Sequence, residues 1–332
     1  MAVPSPRRPI IGGLALLAAV GLGFGILAGF FGDRVYLFDT AAHFRAHAAV
    51  LLFLVAIVLV WSRLWSAALA SVVASLLGLA TVAPYMLPLP APVANDARAP
   101  RYTLLQMNLR YDAPDKAATL RLIGARSPDI ITVQEMFGGW KAAFESISAR
   151  YPYQFYCNHP SGEGDAAILS RRPFVEDDAG VCDFVGGFAA KRVDFNGLQV
   201  IVGSQHLRWP WPGRQWQQVA RLAPTLARLG DPLVIAGDFN AAPWSAAVRT
   251  MAANSGTEIV GGIGPSWFLK FMPSLLARLV GLPIDNVLVS AGIEVIGVER
   301  TEATSSDHLP VLLTFVLPFA HPDEPKVQTV QR

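Results

Sequence analysis

The chain has 332 residues, 52% of them hydrophobic and only 16% charged, with a net charge of +2 and a mean hydropathy of +0.38. That is too apolar for an ordinary water-borne protein and too long for a bare membrane anchor, and it excludes intrinsic disorder, collagen-like repeats and a coiled coil. Only seven charged side chains fall in residues 1–95, against 45 in the remaining 237. A membrane segment followed by a folded domain is therefore expected.

Residues 9–32 form an uncharged run of 24, long enough to cross a hydrocarbon core of ~30 Å. A second uncharged run covers 46–62. A third begins at Leu64, and Pro84, Pro88, Pro90 and Pro92 break it after about residue 86. Three transmembrane helices are expected, at 9–32, 46–62 and 64–86, in an anchor of residues 1–90. Arg7 and Arg8 before the first run also fit a cleaved signal peptide, but two further apolar runs directly behind it favour a span. The basic residues put the N-terminus inside, by a slight bias. Three crossings then put everything after residue 95 outside the cytoplasm, in an integral protein of the cell membrane.

A Pro/Ala linker at 91–101 leads to a domain at 102–318 and a flexible tail at 319–332. Strands are expected at 103–107, 130–133, 166–169, 198–203, 233–236, 287–289 and 311–316. A short helix is expected at 116–124. Trp216, Val219, Leu222, Ala223, Leu226 and Leu229 share one face of another, stopped by Gly230-Asp231-Pro232. Cys157 and Cys182 fit either one disulfide in an oxidising compartment or two buried thiols.

Polar residues stand at the ends of these strands, where a rigid sheet commonly carries catalytic groups. The first strand runs into Asn108, the second into Gln134-Glu135, the next ones into Gln205-His206 and Gly237-Asp238-Phe239-Asn240. Asp285 and Asp307-His308 stand just before the last two expected strands. Four carboxylates converging on one pocket (Glu135, Asp238, Asp285, Asp307) would raise one another's pKa unless a cation is present.

The segments LQMNLR (105–110), PDIITVQE (128–135), AILSRRP (167–173), GSQHL (203–207), IAGDFNAAP (235–243), PIDNVLVS (283–290) and SSDHLPV (305–311) resemble, in this order, the endonuclease/exonuclease/phosphatase superfamily. The resemblance covers about residues 102–317. It implies an α/β four-layer sandwich, two mixed β-sheets packed face to face with helices outside, and hydrolysis of phosphate esters with Mg²⁺, or Mn²⁺ in its place. It further implies Glu135 as metal ligand, with Asn108 beside it and Asp307 contributing. Asp238 would position or deprotonate the attacking water, and Asn240 would donate to the phosphoryl oxygens. His308, oriented by Asp285, would act on the water or the phosphate, and His206 would serve as leaving-group acid or phosphate ligand. The division of the base role between Asp238 and His308 stays open.

Residues 266–280 (SWFLKFMPSLLARLV) are unusually apolar for a segment near such a site. They suit a core helix, or a lip that dips into the membrane or holds an acyl chain, with Trp267 touching substrate. A short multispan anchor before this domain is similar in plan to the teicoplanin-resistance membrane phosphatase group. Residues 96–332 carry 22 basic and 23 acidic residues, with no broad basic face for a polyanion. A lipid or lipid-linked phosphate at the bilayer is therefore the first expectation for substrate and partner, with nucleic acid ranked below it. A non-catalytic receptor is the alternative of another class, and the complete set of polar residues argues against it.

Overall fold

A computed structural model of the protein describes residues 7–88, 99–158, 164–269 and 272–317. The expected linker lies outside the described residues except for 99–101. The expected tail at 319–332 lies wholly outside them, as do Lys270 and Phe271 of the apolar segment.

The aliphatic runs become strands of two six-stranded mixed sheets. The first sheet has the spatial order β11 (Glu294–Arg300), β12 (Val311–Val316), β1 (Arg101–Asn108), β2 (Ile130–Gln134), β4 (Gly164–Ser170) and β3 (Tyr153–Asn158). The second runs β5 (Val181–Asp183), β6 (Phe188–Phe195), β7 (Leu198–His206), β8 (Leu233–Asp238), β10 (Asp285–Ser290) and β9 (Thr257–Ile259). β1 is parallel to β2, and β7 to β8, whereas β10 and β12 run antiparallel to their neighbours β8 and β1.

Side chains alternate faces along a strand, and here both faces are covered, so the strands read as continuous apolar runs. Leu104, Ile130, Val200 and Val234 point between the sheets, with Ile168, Val287 and Phe315. Their neighbours Leu105 and Ile131 face outward under α5 (Lys116–Arg126) and α6 (Trp140–Glu145), meeting Leu122, Trp140 and Phe144. Ile201 and Ile235 likewise meet α7 (Gln215–Leu226) and α8 (Ala246–Ser255) through Val219, Leu222 and Met251. Each such side chain, fully buried, contributes ~1.5–3 kcal/mol. The result is two mixed sheets flanked by helices. Cys157 on β3 and Cys182 on β5 form a disulfide that joins the two sheets at one edge, which excludes the pair of free thiols.

The N-terminal part departs from three plain spans. Arg8–Phe31 and Trp65–Met86 are long and apolar enough to cross a membrane. The first joins α1 (Arg7–Ala28), from its second residue, to the short turn that follows it, and the second is α4. Between them, α2 (Tyr36–His43) and α3 (Arg45–Trp61) form a pair bent by 66°, so a third span exists only if that pair counts as one. Small residues let these helices approach closely: Gly78 faces Ala49 and Ile26, and Ser75 donates to the Ala49 carbonyl at 2.7 Å. Leu14, Leu17, Phe24, Leu69 and Leu77 point outward, as lipid-facing positions would.

Candidate active site

The strand ends expected to carry chemistry meet at one end of both sheets. Asp238 at the end of β8 is opposite His206 of parallel β7 and Asp285 of antiparallel β10. On the facing sheet, Asn108 of β1 is in register with Gln134 of β2, and Glu135 follows. Gly237 is required by this crowding: a Cβ there would come within 1.9 Å of the Gln205 carbonyl oxygen. Arg110, Glu135 and Asn240, which turn the chain at three of these ends, all have positive φ, at 54°, 56° and 46°. Non-glycine residues held in that region cost of order 1–3 kcal/mol each and cluster at functional sites.

His308 is buried, with its Nδ1 at 2.8 Å from Asp285 Oδ2 and its Nε2 at 3.7 Å from Asp238 Oδ2. His206 mirrors it, with Nδ1 on Asp165 at 2.8 Å and Nε2 also 3.7 Å from Asp238 Oδ2. Asn108 Nδ2 donates to Glu135 Oε1 at 3.0 Å and to Asp238 Oδ2 at 2.9 Å. Its carbonyl oxygen is turned away to accept from the Arg110 amide, so ligation of a metal by Asn108 would require the amide to turn over. Asn240 donates from its backbone to Asp238 Oδ1 at 2.8 Å and from its side chain to the Leu207 carbonyl at 2.7 Å. Glu135, Asp238, Asn240, His206, Asp307, His308 and Trp267 all line one open cleft of about 570 Å³. Asn108 and Asp285 stand behind this lining and tie it together.

Burial, and then the charge of Asp285, push the Asp238 carboxyl up to about 6, against the pull of His308, His206 and the Asn240 amide. Burial alone would depress His308, but Asp285 and Asp238, with Asp307 farther off, raise it to about 10. Burial is likewise overcome at His206 by Asp165, Asp238 and Glu135, which raise it to about 9. Acidic groups that strain one another in this way are what a cation relieves. Asp238, Asp285 and His308 present ligand atoms within 4.8 Å of one another, an arrangement compatible with a divalent metal. That tight group differs from the expected ligands Glu135, Asn108 and Asp307, of which Glu135 and Asp307 line the cleft.

Several partners were not anticipated. Asp165, the orienter of His206, also accepts from the Glu135 amide at 3.3 Å. It stands immediately before the 166–169 run, so an acidic residue at a strand start was a usable signal. Below the site a buried chain of amides crosses the sheets. Gln106 donates to Asp285 Oδ1 (2.8 Å) and Gln134 Oε1 (2.9 Å), and Gln134 donates to Ser204 Oγ (2.9 Å). The rim carries Arg110, Tyr111, Arg208 and Trp209, with Trp209 edge-on to Trp267 at 5.8 Å. The apolar segment after Trp267 is not an ordinary core helix. It ends in the short α9 (Ser274–Val280), with Leu275 and Leu279 at 74% and 68% exposure.

The chain is similar to a Vibrio vulnificus protein, UPF0294 protein VV2535, at 34% identity over 123 residues, which is 36% of this chain and 40% of the relative. It thus matches less than half the length of that relative. Among solved structures it resembles Danio rerio TDP2 complexed with single strand DNA product, at 16% identity and TM-score 0.51, covering 66% of this chain and 99% of that one. It also resembles an AP endonuclease from Archaeoglobus fulgidus, at 16% identity and TM-score 0.52, covering 65% and 99%. These neighbours correct one expectation: with nucleic-acid-processing enzymes sharing the fold, nucleic acid does not rank below lipid as a partner. None of these relatives singles out the teicoplanin-resistance group. The model of the Endonuclease/Exonuclease/phosphatase family matches residues 105–308. With that match, the two-sheet fold and a buried cluster able to hold a catalytic metal, the chain belongs to the Endonuclease/Exonuclease/phosphatase family of phosphoester-hydrolysing enzymes.

Proposed function

We propose that this protein is a membrane-anchored, Mg²⁺-dependent phosphodiesterase that cleaves nucleic-acid strands, with its catalytic domain outside the cytoplasm. The observation that carries the reading is Asp238, flanked at 3.7 Å by the Nε2 atoms of both His206 and His308, at the floor of an open cleft. Near neutral pH the Asp238 carboxyl, at about 6, is mostly ionised, while His206 and His308, at about 9 and 10, hold their protons. Asp238 is thus the group that accepts a proton from the attacking water. His308, fixed by Asp285, and Asn240 donate hydrogen bonds to the phosphoryl oxygens, and His206, fixed by Asp165, gives a proton to the leaving oxygen.

Glu135 and Asp307, with Asn108 beside them, would hold the Mg²⁺, for which Mn²⁺ could substitute. A bound ion supplies positive charge against the charge that builds on the phosphoryl group.

Two features of the rim favour a nucleic-acid strand. Arg110 and Arg208 can meet backbone phosphates, and Tyr111, Trp209 and Trp267 offer faces on which bases stack. Residues 96–332, of net charge −1, offer no wide basic track, which suits a short stretch of single strand better than a long duplex. Placement outside the cytoplasm is supported by the disulfide and, with the bent α2–α3 pair counted as a third crossing, by Arg7 and Arg8 ahead of the first span.

The test is a product assay on full-length protein in detergent, with labelled single-stranded and duplex oligonucleotides and phospholipid vesicles. It is run with Mg²⁺ or EDTA. Cleavage of the single strand, falling steeply with salt, is expected. Release of a lipid headgroup with every oligonucleotide left intact would overturn the substrate assignment.

A further inference from the structure

The loop after β8 is gripped from two sides. On the cleft side, Asn240 is tied to Asp238 and to the Leu207 carbonyl, with its backbone at φ 46°. On the other side the partners come from the membrane anchor. Asp39, on α2, is fully buried, and its carboxylate accepts from the amides of Ala246 at 2.7 Å and Ala247 at 3.0 Å, the first two residues of α8. Three residues further along α2, the Ala42 carbonyl accepts from the Trp244 indole at 2.7 Å.

The first amides of a helix have no partner within it. Two of them are met locally, the Ser245 amide by the Ala242 carbonyl at 2.8 Å and the Val248 amide by Ser245 Oγ at 3.2 Å. The two that remain are those satisfied by Asp39, from more than 200 residues away in sequence. A carboxylate at a helix N-terminus is also favoured by the helix dipole. Gly32 leaves room for this carboxylate, since a Cβ there would come within 2.5 Å of Asp39 Oδ1. His43, one turn beyond Asp39, lines with Asn240 and Ile284 a cavity of about 400 Å³ directly behind the active-site loop.

We infer that Asp39 is a positioning residue for the reaction: through the start of α8 and the short segment 239–245 it fixes where Asn240 stands. The anchor is then a working part of the catalytic unit as well as a tether. The inference rests on the role of Asn240 proposed above.

Its test is a double-mutant cycle on full-length protein in detergent, with a soluble aryl phosphodiester as substrate so that tethering plays no part. Asp39→Ala is expected to lower kcat by about tenfold or more, with KM nearly unchanged, because a displaced catalytic group costs turnover before binding. In an Asn240→Ala background the same change should cost nothing further, since a residue acting through Asn240 has no effect once that side chain is gone. Trp244→Phe, which removes the donor to Ala42 and part of a buried ring but leaves Asp39 in place, should give a smaller loss of kcat that also vanishes in that background. It decides the matter if Asp39→Ala does not fold. Losses that multiply with Asn240→Ala, or wild-type kcat in both Asp39→Ala and Trp244→Phe, would overturn the inference while leaving Asn240 in place. Wild-type turnover by Asn240→Ala alone would overturn the Asn240 role and this inference with it.

Discussion

His308 presents Nε2 to Asp238 Oδ2 at 3.7 Å while Asp285 holds its Nδ1 at 2.8 Å. The ring is thus oriented by one carboxylate toward another. Asp285 is in turn held by Gln106 and by its own amide on Ser266 Oγ, so the aim of His308 is set by groups on both sheets. His206 repeats the arrangement with Asp165, and the two imidazoles face the same oxygen. One carboxylate between two oriented imidazoles suits a reaction that takes a proton at one step and returns one at another.

The His206–Asp165 pair has a pH signature. The folded His206 pKa, about 9, lies above its unfolded value near 6.5. Its contribution to stability is therefore fully present below pH 6.5 and is lost as pH rises through 9. His206→Gln, measured in EDTA by thermal unfolding, should lower Tm most near pH 6, by the equivalent of up to ~3 kcal/mol. The gap should close by about pH 10. A gap independent of pH would show that the pair is not ionised.

Metal binding should be visible without turnover. Mg²⁺ in excess of its Kd stabilises the folded state by mass action, so wild-type Tm should rise with added Mg²⁺ and fall back with EDTA. Glu135→Gln should abolish the rise while leaving the metal-free Tm close to that of wild type. An equal rise in both proteins would remove Glu135 from the ligand set.

The Cys157–Cys182 bond closes a loop of about 25 residues between the edges of the two sheets. A cross-link over that span stabilises by about 3 kcal/mol. Cys157→Ser with Cys182→Ser should lower Tm by several degrees, and reductant should do the same to wild type and nothing to the variant. Insensitivity of the wild type would mean the bond is not formed in the protein as produced.

Much of this site was legible because a two-sided apolar strand makes its own end conspicuous. Leu104–Met107 and Leu233–Ala236 can only be buried runs, so Asn108 and Asp238 had to stand where burial stops. The strands that escaped notice, among them β5, β6, β9 and β11, are short or mix charged residues into the run, as in FAAKRVDF. α8 was hidden for another reason: AAVRTMAANS is alanine-rich and buried on several sides, so it has no single apolar stripe. Asp39 could be read only as a loop charge between spans, because its partners lie more than 200 positions away and no local pattern encodes them. The bend between α2 and α3 is equally non-local, since it brings Asp39 and Ala42 against the helix that follows the Asp238 loop.

The aromatic rim separates a strand substrate from a small one. Trp209 is half-exposed and edge-on to Trp267, and stacking of one base is worth ~1–3 kcal/mol. Trp209→Ala should raise KM for a single-stranded oligonucleotide by roughly 5- to 150-fold on that scale, with kcat much less affected. Turnover of a small aryl diester should hardly change. An equal effect on both substrates would mean that Trp209 only supports the cleft wall.

Metal-dependent phosphodiester hydrolysis at Asp238 is tested most directly by the rate of aryl phosphodiester hydrolysis by purified full-length protein, with Mg²⁺ or EDTA, beside Asp238→Ala. Turnover should require Mg²⁺, be abolished by EDTA and fall by roughly 10²–10⁴-fold in Asp238→Ala, with the variant still folded. Hydrolysis that survives EDTA, or an Asp238→Ala protein as active as wild type, would contradict it.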